Sequence, residues 1–151
     1  MGLMVGDKHL TWNYDLTEEE AIKTVSEYFD YPAFCGLTLL DEPNVPFYNR
    51  DGNANRNLDL FVTMAKVLQK DLGIFCSINL YNAGQGSDAK ARETYVKYVD
   101  FCFEQLDPTA YCYDQYPHSS DPKKFIASDV IWNMALYRQK ALEAGKPYWT
   151  Y

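Results

Sequence analysis

The chain is 151 residues long, 47% hydrophobic, 23% charged and 16% aromatic, enough for one domain with a sizeable core and too apolar for a disordered segment. Acidic residues outnumber basic ones, 21 against 14, and the net charge is −7. That balance disfavours the phosphate backbone of nucleic acid and anionic lipid as partners. No run of about 18 apolar residues occurs, so no membrane span is expected.

The N-terminal Met1–Gly6 has no basic segment followed by an apolar core, and Gly6 stands where a myristoylation pattern needs Ser or Thr. Neither a signal peptide nor a lipid anchor is expected there. Leu3–Val5 is the first short apolar run and reads as a strand. Thr17-Glu18-Glu19-Glu20 is a capping box, a hydroxyl and a carboxylate each satisfying a backbone donor of the other. Ile22, Val25 and Phe29 then fall on one helical face before Pro32. Phe34–Leu40 is the second strand. Leu58, Phe61, Val62, Ala65 and Leu68 repeat with helical period, and Gly73 follows.

Gly73–Leu80 is the third strand. Ser87 and Asp88 open a helix with Ala91, Tyr95, Val99, Cys102 and Leu106 along one stripe. Thr109–Tyr113 is the fourth strand. Asp121-Pro122 sets a cap before a proline at a first helical position, and that helix runs through Ile131, Met134, Ala135, Arg138 and Leu142 to Gly145. Pro147–Tyr151 is the fifth strand.

Strands thus alternate with helices and no tight hairpin joins any two of them, which predicts an α/β fold with a parallel sheet. The later runs start at residues 34, 73, 109 and 147, a regular period that fits a (β/α)8 TIM-type barrel. A full ring needs about 250 residues, so residues 1–151 are expected to form one partial barrel domain of a longer protein. Open sheet edges would then favour self-association. The rival is a small doubly wound sheet, but no Gly-rich phosphate loop supports it, and no cofactor is expected. Cys35, Cys76, Cys102 and Cys112 form no Cys-x-x-Cys pair, and only His9 and His118 could join them, so no metal site is expected. Three of the four cysteines lie in apolar runs and read as core.

In parallel α/β folds the site gathers at the carboxyl ends of the strands. Here those ends carry Asp7, Lys8 and His9, then Asp41-Glu42-Pro43-Asn44, then Asn79, Tyr81 and Asn82. The last two carry Asp114, Gln115, Tyr116 and His118, then Trp149 and Tyr151. Aromatic rings stack on the C–H faces of sugars while amides and carboxylates bind hydroxyls, so this lining suits a carbohydrate. Asp41-Glu42 is the sharpest signal, because adjacent acids at a strand end are costly to desolvate without partners. Pleating sends the two side chains to opposite sides. Only one of them can then face the pocket. Asp114 lies at the next-but-one strand end, and glycoside hydrolysis needs two carboxylates flanking one bond.

The run Gly36-Leu37-Thr38-Leu39-Leu40-Asp41-Glu42-Pro43 resembles the G-x-x-x-x-D-E-P strand of glycoside-hydrolase-type (β/α)8 barrels of gut-type bacteria. Ser77-Ile78-Asn79-Leu80-Tyr81 resembles the strand that follows it there. Tyr95 through Asp100 and Tyr113-Asp114-Gln115-Tyr116-Pro117 are similar to the family's Y-x-x-Y-V-D helix and Y-D-x-Y-P strand, and Pro147-Tyr148-Trp149 to its P-F/Y-W strand. The resemblance spans the chain from about Leu16 onward and implies strands three to seven of the barrel. It makes Glu42 the general acid, facing the pocket while Asp41 points away, with the second carboxylate at the sixth strand, Asp114, or at the seventh. No acid follows Glu143 in this sequence. Asp41, Asn79, Tyr81, Asn82, Tyr116, His118 and Trp149 are the expected sugar-binding residues. The alternative is a non-catalytic carbohydrate-binding or structural barrel. The stretch Asn49–Asn55 mimics the first ligands of a calcium loop, but Arg56 and Val62 occupy the positions that need Gly and Glu. It is read as a loop over the site.

Overall fold

The computed structural model describes residues 2–7, 10, 16–45, 48, 62–63, 65–83, 88–116 and 127–150. Five strands, β1 (Leu3–Val5), β2 (Phe34–Asp41), β3 (Cys76–Leu80), β4 (Ala110–Tyr113) and β5 (Tyr148–Thr150), form one sheet in the order β1-β2-β3-β4-β5. Every pairing is parallel. Chain order and sheet order coincide, so the sheet lacks the reversal at which a doubly wound fold binds its ligand. The α/β class expected from the alternation is the observed one.

Helix α1 (Glu18–Ser26) begins at the capping box: Thr17 Oγ1 accepts from the Glu20 amide, and the Glu20 carboxylate accepts from the Thr17 amide. It ends earlier than Pro32 suggests. Phe29 lies beyond it in a turn, half exposed, with its ring edge against Phe34. Helix α2 (Ala89–Phe101) starts at Asp88, whose carboxylate caps the Ala91 amide, and passes into a π-helical segment, Cys102–Leu106. A second π-helical segment, Val67–Asp71, precedes β3. Helix α3 (Ala127–Ala144) ends at Gly145, which takes a left-handed conformation with φ +65°. None of the described helices is long and apolar enough to cross a membrane.

The two faces of the sheet differ in chemistry. Leu37, Leu40, Ile78, Leu80, Tyr111 and Tyr113 share one core with Val25 of α1, with Tyr95, Tyr98 and Val99 of α2 and with Tyr137 of α3. Tyr113 and Tyr137 stack with ring centroids 4.0 Å apart. A core so rich in tyrosine must place its hydroxyls. Those of Tyr95 and Tyr137 both donate to the Tyr81 carbonyl, while that of Tyr98 accepts from the Tyr81 amide. The opposite face carries small and polar residues: Thr38, Ser77, Asn79, Ala110 and Cys112, in register across β2, β3 and β4.

Helix α3 turns a different face inward from the one its apolar residues suggest. Asp129, Asn133, Leu136, Tyr137 and Ala141 are buried, whereas Ile131 and Leu142 are 65% and 63% exposed. The inward face is fixed by hydrogen bonds as well as by apolar burial, and apolar spacing alone does not report them. Cys76, Cys102 and Cys112 are buried free thiols, whereas Cys35, which lies in an apolar run and reads as core, is exposed near the start of β2.

Candidate functional site

The geometry of the strand ends begins with an irregularity in β2. Thr38 pairs with Ser77, but the next pairing is Leu40 with Ile78, so β2 carries one residue more than β3 over this stretch. A bulge of this kind breaks the alternation of side chains. Asp41 consequently pairs with Asn79 and lies on the same face as Thr38. This corrects the expectation that Asp41 points away. The pleat argument is sound for an unbroken strand; the extra residue at Leu39 puts Asp41 on the Asn79 face, and the left-handed turn at Glu42, φ +46°, ends the alternation before that residue.

Asp41, Asn79, Cys112 and Trp149 therefore form a row across β2, β3, β4 and β5. Asn79 Nδ2 donates to Asp41 Oδ1 at 2.8 Å and to Asp114 Oδ1 at 3.0 Å. A single NH2 group thus holds carboxylates from two strands that do not touch, with the two acceptor oxygens less than about 6 Å apart. Asn79 is only 5% exposed, and its Oδ1 has no hydrogen-bond partner. The amide has taken the orientation that serves the two acids, at the cost of an unpaired acceptor.

Asp114 is held from several sides. Its amide donates to the Leu80 carbonyl, its carbonyl accepts from Asn82 Nδ2 at 2.6 Å, and its Oδ2 accepts from the Tyr116 hydroxyl at 3.1 Å. Tyr116 is 63% exposed, and its phenol is pushed above the ordinary tyrosine range. The hydrogen bond to Asp114 is the main cause, followed by the Asp114 charge, with Glu42 and Asp41 adding to it. All three acids therefore act on this one hydroxyl. The Cys112 thiol beneath them is pushed up to about 12, by burial first and then by the Asp114 charge.

Glu42 follows β2 in a left-handed conformation, φ +46°, and its amide donates to the Asn79 carbonyl at 2.8 Å. Backbone strain at a residue with a bulky side chain is concentrated at functional sites. The expected residues do not all border one surface. Tyr81 is 4% exposed, with its ring among Tyr48 and Tyr98 and its hydroxyl toward Asn44 Oδ1. It belongs to the core, so its ring has no face free for stacking. Trp149 is half-buried at the end of the polar row. Asp7 accepts a hydrogen bond from Tyr28. His118, His9, Lys8 and the 49–55 loop lie outside the described residues. Among the described residues no three His, Cys, Asp or Glu side chains are grouped so as to hold a metal ion.

Behind Asp114 lies a buried polar link that apolar spacing along the chain does not reveal. Asn133 of α3, fully buried, donates through Nδ2 to Gln115 Oε1 at 2.7 Å and to the Asp129 carbonyl at 2.9 Å. Its Oδ1 accepts from the Ala83 amide at 3.1 Å. Asp129 in turn pairs with Arg92 of α2, whose guanidinium lies over the Trp132 ring. The available sequence signal was the pair Asp129 and Asn133, one turn apart on a helix otherwise rich in apolar residues. Comparison with protein-family models, with curated proteins and with solved structures gave no match.

Proposed function

We propose that the chain is part of a glycoside-hydrolase-type (β/α)8 barrel and that its strand ends act on a glycosidic bond. The observation that carries this reading is the Asn79 amide shared by Asp41 and Asp114, which draws together acids from β2 and β4. The unreversed strand order supports a barrel over a doubly wound sheet. The resemblance of Gly36–Pro43 and Tyr113–Pro117 to the barrel glycosidases supports the carbohydrate reading.

In this reading Asp114 is the second carboxylate, held in place because both of its oxygens accept hydrogen bonds, from Asn79 and from Tyr116. Glu42 gives its proton to the leaving oxygen as the bond from the anomeric carbon to that oxygen breaks. Asp114 meets the positive charge at the anomeric carbon: it either takes a proton from the attacking water, or bonds to that carbon until a water, deprotonated by the Glu42 carboxylate, displaces it and restores both carboxyl groups. The products are a hemiacetal and a free hydroxyl. Asp41 orients Asn79, and the exposed Tyr116 ring offers a face for a sugar.

The test is reducing-end release from a panel of oligosaccharides and polysaccharides, with calorimetric binding measured alongside. Glu42→Gln and Asp114→Asn are expected to lose turnover by at least about a hundredfold and to keep binding within a few-fold. Binding without turnover in the parent chain would instead favour a carbohydrate-binding barrel. Neither binding nor turnover across the panel would overturn the reading.

A further inference from the structure

We propose that Asn133 is a positioning residue for Asp114 and Tyr116, clamping the turn after β4 to the turn after β3 from the outer helix layer. The inference rests on the functional reading above for its consequence, but its geometry stands apart from that reading. Gln115 lies between Asp114 and Tyr116 in the chain, and its Oε1 accepts from Asn133 Nδ2 at 2.7 Å. The other end of the Asn133 amide accepts from Ala83, next to Asn82, whose own Nδ2 reaches the Asp114 carbonyl. Asp114 is therefore approached on one side by Asn82 directly and on the other by Asn133 through Gln115.

Every polar valence used by Asn133 is spent on backbone or on Gln115, and the residue is fully buried. A buried amide that only filled space would be replaced at little cost by an apolar side chain; one with three directed bonds fixes the groups it touches. What it touches are the two turns that carry the candidate site. The Asp129 carbonyl orients the amide from one helical turn earlier, and the ion pair of Asp129 with Arg92 ties that turn to α2. The helix pair thereby sets the direction of the Tyr116 hydroxyl toward Asp114 Oδ2, a dependence of site geometry on supporting groups that is general for active sites.

The experiment compares Asn133→Leu and Gln115→Met with the parent chain. Its readouts are the titration of Tyr116, followed by isotope-labelled tyrosine NMR, and the kinetics on whichever glycan is hydrolysed. Loss of the clamp is expected to return Tyr116 toward the ordinary tyrosine range. It is also expected to lower kcat by about tenfold or more with KM within about twofold. A purely structural role would lower thermal stability and leave the Tyr116 titration of the folded protein in place. That result in both variants would overturn the inference. If Asn133→Leu does not fold, Gln115→Met decides alone, because it removes the link and leaves α3 untouched. If no glycan is hydrolysed, the functional reading falls while the Tyr116 titration still decides the clamp.

Discussion

Asp41 and Asp114 stand at the ends of strands separated by β3, yet both carboxylates accept from one nitrogen, Asn79 Nδ2. The amide is neutral, so it brings the acids together without cancelling their charge. Replacing it with a third carboxylate, Asn79→Asp, removes both donated bonds and adds a like charge at a buried position. The variant is expected to be less stable than the parent by about 1–3 kcal/mol near neutral pH. Crowding raises the folded pKa of at least one of these acids above its unfolded value. The favourable contribution is then present at low pH and lost as pH rises through the raised value. Urea denaturation near pH 4.5 and pH 7.5 should show the gap between variant and parent widening at the higher pH.

Gly36 is the third residue of β2, the strand that leads to Asp41 and Glu42, and it packs closely on the segment entering β3. A Cβ there would lie 2.4 Å from the Phe75 carbonyl oxygen and 3.1 Å from the Phe75 Cβ. Backbone cannot yield as a flexible side chain does, so β2 would have to move away from the segment entering β3. Gly36→Ala is expected to cost about 3 kcal/mol or to prevent folding. Gly6→Ala, where nothing lies within 4 Å of the added carbon, is the matched control and should be near neutral. Chemical denaturation of the two variants checks both expectations.

The capping box at Thr17, the alternation of strands and helices, the parallel pairing and the burial of Cys76 and Cys112 could all be read from the chain, because each is a local or periodic signal; the exposure of Cys35 could not. The side to which Asp41 turns could not. It depends on one extra residue near Leu39, and Leu39-Leu40 looks like any apolar strand interior. The inward face of α3 was also hidden, because Ile131 and Leu142 satisfy the helical period as well as Tyr137 and Ala141 do. The choice between them is made by Asn133 and Asp129, whose partners are distant in sequence. Tyr81 follows β3 as a pocket residue would, but the hydroxyls of Tyr95 and Tyr137 converge on its carbonyl from the helix layer. Its ring goes inward with them.

The thiols supply a prediction that needs no substrate. Cys76 and Cys112 are each pushed up to about 12, Cys76 by burial alone, and burial raises Cys102 as well. A protonated, inaccessible thiol is a poor nucleophile. In the folded protein a disulfide reagent at pH 8 is expected to label Cys35 rapidly and the other three only as fast as the structure opens. All four should react at once in denaturant. The folded-state values exceed the ordinary thiol range, so their contribution to stability is complete below that range and lost as pH rises toward 12. Fast labelling of two or more thiols in the folded protein would contradict this packing.

Tyr116 offers a separation of two roles in one side chain. Its hydroxyl donates to Asp114 Oδ2, and its ring is largely exposed at the end of β4. Tyr116→Phe removes the bond and keeps the ring face; Tyr116→Ala removes both. On a glycan that the chain hydrolyses, Phe is expected to lower kcat several-fold with little change in KM, and Ala to raise KM as well. The pH profile gives an independent check. The Asp114 bond raises the Tyr116 phenol, so the donated proton persists through the ordinary tyrosine range and is lost only above it. Beyond that point a phenolate would face Asp114, Glu42 and Asp41, and the hydrogen bond becomes repulsion. Activity in the parent should therefore fall on the far alkaline side, and that limb should be absent from Tyr116→Phe. Identical alkaline limbs in parent and Phe variant, at pH values where circular dichroism shows both folded, would remove Tyr116 from the site.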